Sequence, residues 1–171
     1  MATFILTVIG DDRPGLVSAL SAPISAHQAS WERSQMSRLA GKFAGIVLVT
    51  VADERYDALT SELAALEAEG LRVGLQRTDE PVERESVRLH LELLGADHPG
   101  IVAELSASLA ARGVSIEELT TDVREAPMAG GMLFEARAAL TAPSTTDVEE
   151  LGSMLEGLAD ELMVEIRLSE D

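Results

Sequence analysis

The chain has 171 residues, of which 46% are hydrophobic, and this is enough for one medium-sized domain or two small ones with a buried core. Its formal net charge of −17 excludes the basic surface that direct binding to duplex DNA or to an anionic membrane requires. The absence of cysteine excludes a disulfide framework, a thiol nucleophile and a thiolate metal site, and it agrees with a cytoplasmic location.

Hydrophobic periodicity predicts six elements in the first half of the chain. Apolar stretches rich in Ile, Val, Leu and Thr predict strands, and apolar residues three to four positions apart predict helices. The nearly unbroken apolar run at residues 46–51 also predicts a central strand that is covered on more than one side. In chain order, the predicted elements are a strand at 3–9, a helix at about 16–24, strands at 30–37 and 46–51, a helix at about 59–66 and a strand at 71–78.

The second half of the chain repeats this pattern. Residues 6–36 align with residues 91–121 at a constant offset of 85 positions without gaps, and eleven of the thirty-one aligned pairs are identical. The period is too long for a solenoid repeat, so we predict two whole small domains in tandem. The corresponding elements are a strand at 86–94, a helix at about 101–109, strands at 115–124 and 132–140, a helix at about 148–158 and a strand at 162–168.

The order β-α-β-β-α-β, present twice, predicts the α+β class. Each unit is expected to be ferredoxin-like, with a four-stranded antiparallel sheet that carries two helices on one face. We predict a first domain at residues 1–80, a linker at 81–85 and a second domain at 86–171. Pro81 supports the linker because proline is disfavoured in a central strand.

Two matching segments join the first strand to the first helix of each unit. They read GDDRPG at residues 10–15 and GADHPG at residues 95–100, and we call them loop 1 and loop 2. Pro14 and Pro99 are expected at the first helical position, where a missing N–H costs nothing. Asp11, Asp12 and Asp97 are interpreted as capping residues and not as acid–base catalysts, because no nucleophile or metal motif accompanies them.

Four glycines flank these loops. Gly10 and Gly95 are expected to adopt positive φ where the strand ends, and Gly15 and Gly100 are expected to let a backbone or a small ligand approach closely. Starting a helix requires no ligand, so a purely structural role remains open. The free N–H groups at a helix N-terminus also form a receptor for a carboxylate, and duplication of the loop favours that alternative.

The two loops and their flanking elements resemble ACT domains, small regulatory modules that commonly bind amino acids. The paired arrangement is most similar to the glycine cleavage system transcriptional repressor family. This resemblance implies a ligand held largely by main-chain groups between the loop of one ACT unit and a neighbouring unit. The binding residues that it implies are Gly10, Asp11, Asp12, Pro14, Gly15 and Leu16 in the first unit and Gly95, Asp97, Pro99, Gly100 and Ile101 in the second.

The start of the second strand completes the implied site. Such domains often carry Asn-Ile there, whereas this chain has Ser30-Trp31 in the first unit and Ser115-Ile116 in the second, so a carboxamide is missing from both. We include Ser30, Trp31 and Ser115 among the candidate ligand-binding residues. Trp31 is interpreted as a packed strand residue, with an aromatic wall of a binding site as the alternative.

The remaining reactive or adaptable side chains suggest no further site. His27, His90 and His98 lie at no metal-ligand spacing, and His98 aligns with Arg13, so we predict no metal, no cofactor and no catalytic residue. Met128 and Met132 flank a Gly-Gly turn and are predicted to be packing residues.

The sequence therefore predicts a non-enzymatic regulatory protein. We expect it to bind a small amino acid, such as glycine, and to control transcription through a protein partner and not through direct contact with DNA. We also expect a homodimer without membrane association. The alternatives are a pairing module that dimerises through exposed sheet edges without a ligand, and a fragment that regulates a separate metabolic enzyme.

Overall fold

The computed structural model describes residues 1–79, 83–128 and 130–171. It separates into two compact units, Met1–Val82 and Glu83–Asp171. Residues 81 and 82 of the predicted linker lie outside the described residues, and residues 83–85 have no regular secondary structure.

The described residues of the first unit form four strands, two α-helices and one short 3₁₀ helix. Its elements are β1 at Ala2–Asp11, α1 at Leu16–Ala26, β2 at Ser30–Leu39, β3 at Lys42–Val51, α2 at Asp53–Ala64, the 3₁₀ helix at Ala65–Glu69 and β4 at Arg72–Arg77. In the part of the second unit that the structure describes, the same order recurs without a 3₁₀ helix: β5 at Ser86–Ala96, α3 at Ile101–Ala110, β6 at Ser115–Glu125, β7 at Met132–Pro143, α4 at Val148–Leu162 and β8 at Val164–Glu170.

Each unit folds into a four-stranded antiparallel sheet. The strand orders are β2-β3-β1-β4 and β6-β7-β5-β8, so the first and third strands of each unit are central. Alternate residues of the central strands are buried and pack with the apolar residues of the helices. The predicted βαββαβ topology and α+β class are confirmed in both units.

Two separate cores follow from this alternation. The core of the first unit comprises Ala2, Phe4, Leu6, Val8, Leu16, Leu20, Ile24, Val47, Val49, Val51, Leu59, Leu63, Leu66 and Leu71. That of the second comprises Leu89, Leu91, Leu93, Ile101, Leu105, Leu109, Val114, Phe134, Ala136, Ala138, Leu140, Ala142, Leu151, Leu155, Leu158 and Leu162.

Three expectations about strands and turns are wrong. The first strands do not end at Gly10 and Gly95 but continue to Asp11 and Ala96, because both glycines stay paired in the ladder. β3 is central, but Ile46 is 48% exposed on the outer face of the sheet, so helices cover one face only. In the second unit, Met128 is 98% exposed and Met132 is 44% exposed, so neither is buried in the core as a packing residue.

Candidate functional site

Loop 1 is attached to the β2–β3 hairpin. The amide of Asp12 donates to the carbonyl of Gly41 at 2.9 Å, and Arg38 Nη1 donates to Asp12 Oδ2 at 3.3 Å. Lys42 Nζ donates to Asp11 Oδ1. This hydrogen bond and the charge of the Lys42 ammonium hold the pKa of the Asp11 carboxyl below its ordinary value. Both aspartates of loop 1 therefore interact with basic side chains of the β2–β3 hairpin.

Each helix that follows a loop begins one residue after the glycine. Gly15 is the N-cap of α1 with φ of 90°, and Gly100 is the N-cap of α3 with φ of 97°. The helices start at Leu16 and Ile101, so Pro14 lies outside the helix, as does Pro99 in loop 2. The expectation that these prolines occupy the first helical position is wrong, because the left-handed glycine reverses the chain direction after them.

The aspartates of the loops are not helix caps. Among the residues that the structure describes, no side chain makes a capping hydrogen bond at the start of α1 or α3. A true aspartate cap lies at the start of α4, where Asp147 accepts from the amides of Glu149 at 3.0 Å and Glu150 at 3.1 Å. Because no side chain occupies the first-turn N–H groups of α1 and α3, these groups are available to an anion.

The glycines before and after each loop exchange the roles expected from the sequence. Gly10 and Gly95 lie in extended strand, and each is needed because a distant part of the chain passes close by: the segment just before β4 at Gly10 and the start of β8 at Gly95. A β-carbon on Gly10 would lie 2.8 Å from Leu71 Cδ2 and 3.0 Å from the carbonyl oxygen of Gly70, and one on Gly95 would lie 2.9 Å from Val164 Cα.

The second pair of glycines supplies the open space. Gly15 and Gly100 have positive φ, and no heavy atom would lie within 4 Å of a β-carbon at either position. Both glycines are exposed at the surface of their units. Among the described residues of each unit, no side chain therefore occupies the space beside the glycine at the helix N-terminus.

Loop 2 is held by different atoms. The amide of Asp97 donates to the carbonyl of Met132 at 2.8 Å, which matches the attachment of loop 1 to its hairpin. His98 Nδ1 lies 3.1 Å from the carbonyl oxygen of Pro99, and His98 Nε2 lies 2.9 Å from that of Leu162. The carbonyls of Leu162 and then Pro99 raise the pKa of His98 above its ordinary value, and the Asp97 carboxylate adds to this shift.

Arg13 and His98, which follow Asp12 and Asp97, were not among the predicted site residues. Arg13 Nη2 donates to the carbonyl oxygen of Glu69 at 3.0 Å, and this contact corresponds to that of His98 with Leu162. The alignment of Arg13 with His98 was the available signal. It indicated a shared basic side chain, but not the carbonyl that each side chain reaches.

The predicted residues at the start of the second strand do not join the loop within a unit. Ser30 pairs with Thr50, and Thr50 pairs with Thr3, at the end of β1 opposite Asp11. The rise along β1 from Thr3 to Asp11 corresponds to roughly 27 Å. Ser115 occupies the matching position on β6, so each unit carries its loop and its serine at opposite ends of the sheet.

Trp31 is half-buried and packs against the core of the first unit, which confirms its interpretation as a packed strand residue. It pairs with Val49, and a bulge at the next position shifts the register before Arg33. The bulge recurs after Ile116 in β6, so the two units share this irregularity as well.

Two depressions in the surface lie elsewhere, on the second unit. The more enclosed one has a cavity volume of about 130 Å³ and is lined by Glu92, Leu94, Glu135, Glu165 and Arg167, among others. Its three carboxylates disfavour an anionic guest. We therefore do not place a carboxylate ligand there.

The other two histidines interact with carboxylates. His27 Nε2 lies 2.7 Å from Glu62 Oε2, and His90 Nε2 lies 2.7 Å from Asp171 Oδ1. Among residues 1–79, 83–128 and 130–171, no group of three or more His, Asp or Glu side chains could hold a metal ion. Within the same ranges, no helix is both long enough and apolar enough to cross a membrane.

Comparisons with known proteins agree with the duplicated fold. The ACT domain family model matches residues 2–75 and again residues 88–169. The glycine cleavage system transcriptional repressor of Escherichia coli strain K12 is 24% identical over 162 residues, which cover 92% of this chain and 84% of the repressor.

Solved structures agree as well. A crystal structure of a protein of unknown function from Galdieria sulphuraria superposes with a TM-score of 0.89 at 31% identity, covering 99% of this chain and 98% of that chain. A structure assigned as a glycine cleavage system transcriptional repressor superposes with a TM-score of 0.74 at 15% identity, covering 99% and 97%, and at this identity it supports the fold alone. The chain belongs to the ACT domain family, contains two ACT domains in tandem, and is related in sequence to the glycine cleavage system transcriptional repressor.

Proposed function

We propose that the protein is a non-enzymatic regulator that binds a small amino acid at its two loops. The observation that carries the proposal is the pair of helix N-termini without side-chain caps, each beside an exposed glycine with open space around it. At the start of α1, the amides of Leu16, Val17 and Ser18 have no partner within the helix and can donate to a carboxylate. The residues proposed to form the site are those named from the sequence.

Loop 1 is the better carboxylate receptor of the two. The first turn of α1 contains no acidic residue, whereas that of α3 contains Glu104, which repels an anion at the same position. The two aspartates of loop 1 already interact with Lys42 and Arg38. We therefore expect amino acids to occupy the first unit at lower concentrations than the second.

The candidate residues on β2 and β6 contribute only if a ligand takes contacts from more than one ACT unit. Ser30 and Trp31 lie at the end of their sheet opposite loop 1, so one small molecule cannot touch both within the same unit. The resemblance to ACT domains implies this shared arrangement, and the proposal includes it. A homodimer is one way to supply the second unit.

Control of transcription through a protein partner is the second part of the proposal. It is supported by the relationship to the Escherichia coli repressor and by the net charge of −17, which opposes direct binding to DNA phosphates. Glycine is the first ligand to test because that repressor is named for the glycine cleavage system. The cytoplasmic location expected from the sequence stays a prediction.

A charge introduced at the helix N-terminus tests the ligand site directly. Val17 is in the first turn of α1 and is 47% exposed, so Val17→Glu adds a competing carboxylate without disturbing the core. In the Val17→Glu variant, affinity for glycine, measured by calorimetric titration, should fall about fivefold or more. Glutamine has the shape of glutamate without its charge, so Val17→Gln should bind glycine as the wild type does. Equal weakening by both variants, or no binding of any amino acid by the wild type, would contradict the proposal.

A binding assay with duplex DNA tests the partner route. At moderate salt we expect no saturable change in the fluorescence anisotropy of a labelled duplex, with or without glycine. Tight binding of the purified protein to DNA would show that the protein acts without an intermediary.

A further inference from the structure

In each unit, one basic side chain of the loop contacts the last residue of the helix that precedes the fourth strand. This helix is the 3₁₀ helix in the first unit and α4 in the second. In the first unit, Arg13 Nη2 donates to the carbonyl oxygen of Glu69 at 3.0 Å. In the second unit, His98 Nε2 contacts the carbonyl oxygen of Leu162 at 2.9 Å. These residues are 56 and 64 positions apart in the chain, so each contact joins parts of the unit that meet only after folding.

The accepting carbonyls are equivalent in the two units. Glu69 is the last residue of the 3₁₀ helix and Leu162 is the last residue of α4. Each is followed by one residue in the left-handed conformation, Gly70 with φ of 90° or Met163 with φ of 55°. The last carbonyls of a helix have no partner within it and carry partial negative charge, so a cation beside them is favoured.

The contact of Arg13 with Glu69 and the contact of His98 with Leu162 differ in their dependence on pH. Arginine keeps its charge and its donors at every physiological pH. His98 faces carbonyl oxygens at both ring nitrogens, Pro99 at Nδ1 and Leu162 at Nε2. A carbonyl only accepts hydrogen bonds and a neutral imidazole donates from one nitrogen only, so both contacts are hydrogen bonds only when the ring is protonated.

The charges around His98 favour the protonated ring. Asp97, the preceding residue in loop 2, contributes an attractive carboxylate, while the end of α4 presents the Leu162 carbonyl. The side chains of Asp160 and Glu161 precede Leu162 in the last turn of α4 and are exposed to solvent. His98 itself is half-buried.

We propose that Arg13 and His98 are positioning residues that hold the two loops in the form that receives a ligand, and that loop 2 is held in this form only while His98 is protonated. The part that concerns ligand binding rests on the function proposed above. Ligand affinity at loop 2 then falls as the pH rises, whereas affinity at loop 1 stays constant over the same range.

Exchanging the two side chains tests this inference without requiring a ligand. The backbone amide signals of residues 15–18 and 100–103 would be followed by NMR from about pH 5.5 to about pH 8.5 in the wild type and in the variants His98→Arg and Arg13→His. The wild type should show titration of the loop 2 amides with the same midpoint as the His98 ring, and no titration at loop 1. His98→Arg should abolish the titration at loop 2, and Arg13→His should create one at loop 1.

A second variant keeps this experiment decisive. If His98→Arg does not fold, His98→Gln, which can donate to one carbonyl only, should also lose the titration. Loop 2 amides that stay constant while the His98 ring titrates would overturn the inference, as would an unchanged titration in the variants.

A glycine titration at both ends of the pH range separates this inference from the proposed function. Affinity at the second unit should be roughly fivefold weaker at the higher pH, in the range expected for loss of one hydrogen bond. If the loop 2 amides respond to pH but glycine binds to neither unit, the proposed function is wrong, while the pH-dependent contact of His98 with Leu162 is confirmed. If glycine binds the second unit equally at both pH values, His98 is not a positioning residue for the ligand.

Discussion

Gly95 in β5 is paired with Val164 in β8, so close that a β-carbon on the glycine would lie 2.9 Å from the Cα of Val164. Backbone atoms cannot move aside as the end of a side chain can. We expect Gly95→Ala to lower the free energy of unfolding by about 1–3 kcal/mol through overpacking. Chemical denaturation measures this change.

Gly10 and Gly157 are the matched comparisons for that variant. At Gly10 only the terminal Cδ2 of Leu71 would lie closer than 3.0 Å to a β-carbon, whereas at Gly95 the Cγ1, Cβ and Cα atoms of Val164 would all lie closer than that, so Gly10→Ala should be milder than Gly95→Ala. Gly157 lies in α4 with no atom within 4 Å of a β-carbon, so Gly157→Ala should stabilise the protein by roughly 0.5–1 kcal/mol. A Gly95→Ala variant as stable as the wild type would show that β8 is not held against β5 at this point.

Glycine is required at position 15 because of its backbone conformation and not because of crowding by other atoms. Its φ of 90° strains an alanine, although no atom of the chain opposes the added methyl group. We expect Gly15→Ala to lower the midpoint of thermal unfolding, with a cost of about 1 kcal/mol, and Gly15→Asn to cost less, because asparagine tolerates positive φ better. Equal stability of the alanine variant and the wild type would mean that α1 does not begin with a left-handed residue.

Asp147 caps α4, whereas Asp12 and Asp97 do not cap the helices after their loops. Replacing Asp147 with alanine should cost about 1 kcal/mol of stability, because the amides of Glu149 and Glu150 lose their acceptor. Asp97→Ala should change the stability by only a few tenths of a kcal/mol. If thermal unfolding shows the opposite order, loop 2 caps its helix in solution.

The pKa of His98 is raised in the folded chain, and this makes the stability of the second unit depend on pH. The stabilisation from the protonated ring is fully present below the ordinary histidine pKa and is lost as the pH rises through the higher pKa of the folded state. The difference in stability between the wild type and His98→Gln should therefore be larger at about pH 5.5 than at about pH 8.5. A difference that grows with rising pH would contradict the protonated contact with Leu162.

The repeat and the spacing of apolar residues were enough to predict the order of the elements and the fold of each unit. They did not predict the geometry of the loops. The close approach of Gly70 and Leu71 to Gly10, and of Val164 to Gly95, depends on residues that lie far along the chain, so local sequence suggested positive φ instead. The Asp-x-Pro-Gly pattern suggested a capped helix because capping residues are defined locally, whereas Asp12 interacts with Arg38 on another strand.

Mapping of amino-acid binding onto the backbone amides tests the central claim most directly. Uniformly ¹⁵N-labelled wild-type protein would be titrated with glycine and then with a panel of other amino acids. We predict saturable shifts of the Leu16, Val17 and Ser18 amides, with a dissociation constant on the order of micromolar to millimolar for at least one amino acid. Loop amides that remain unshifted at saturating concentrations of every amino acid tested would contradict the account.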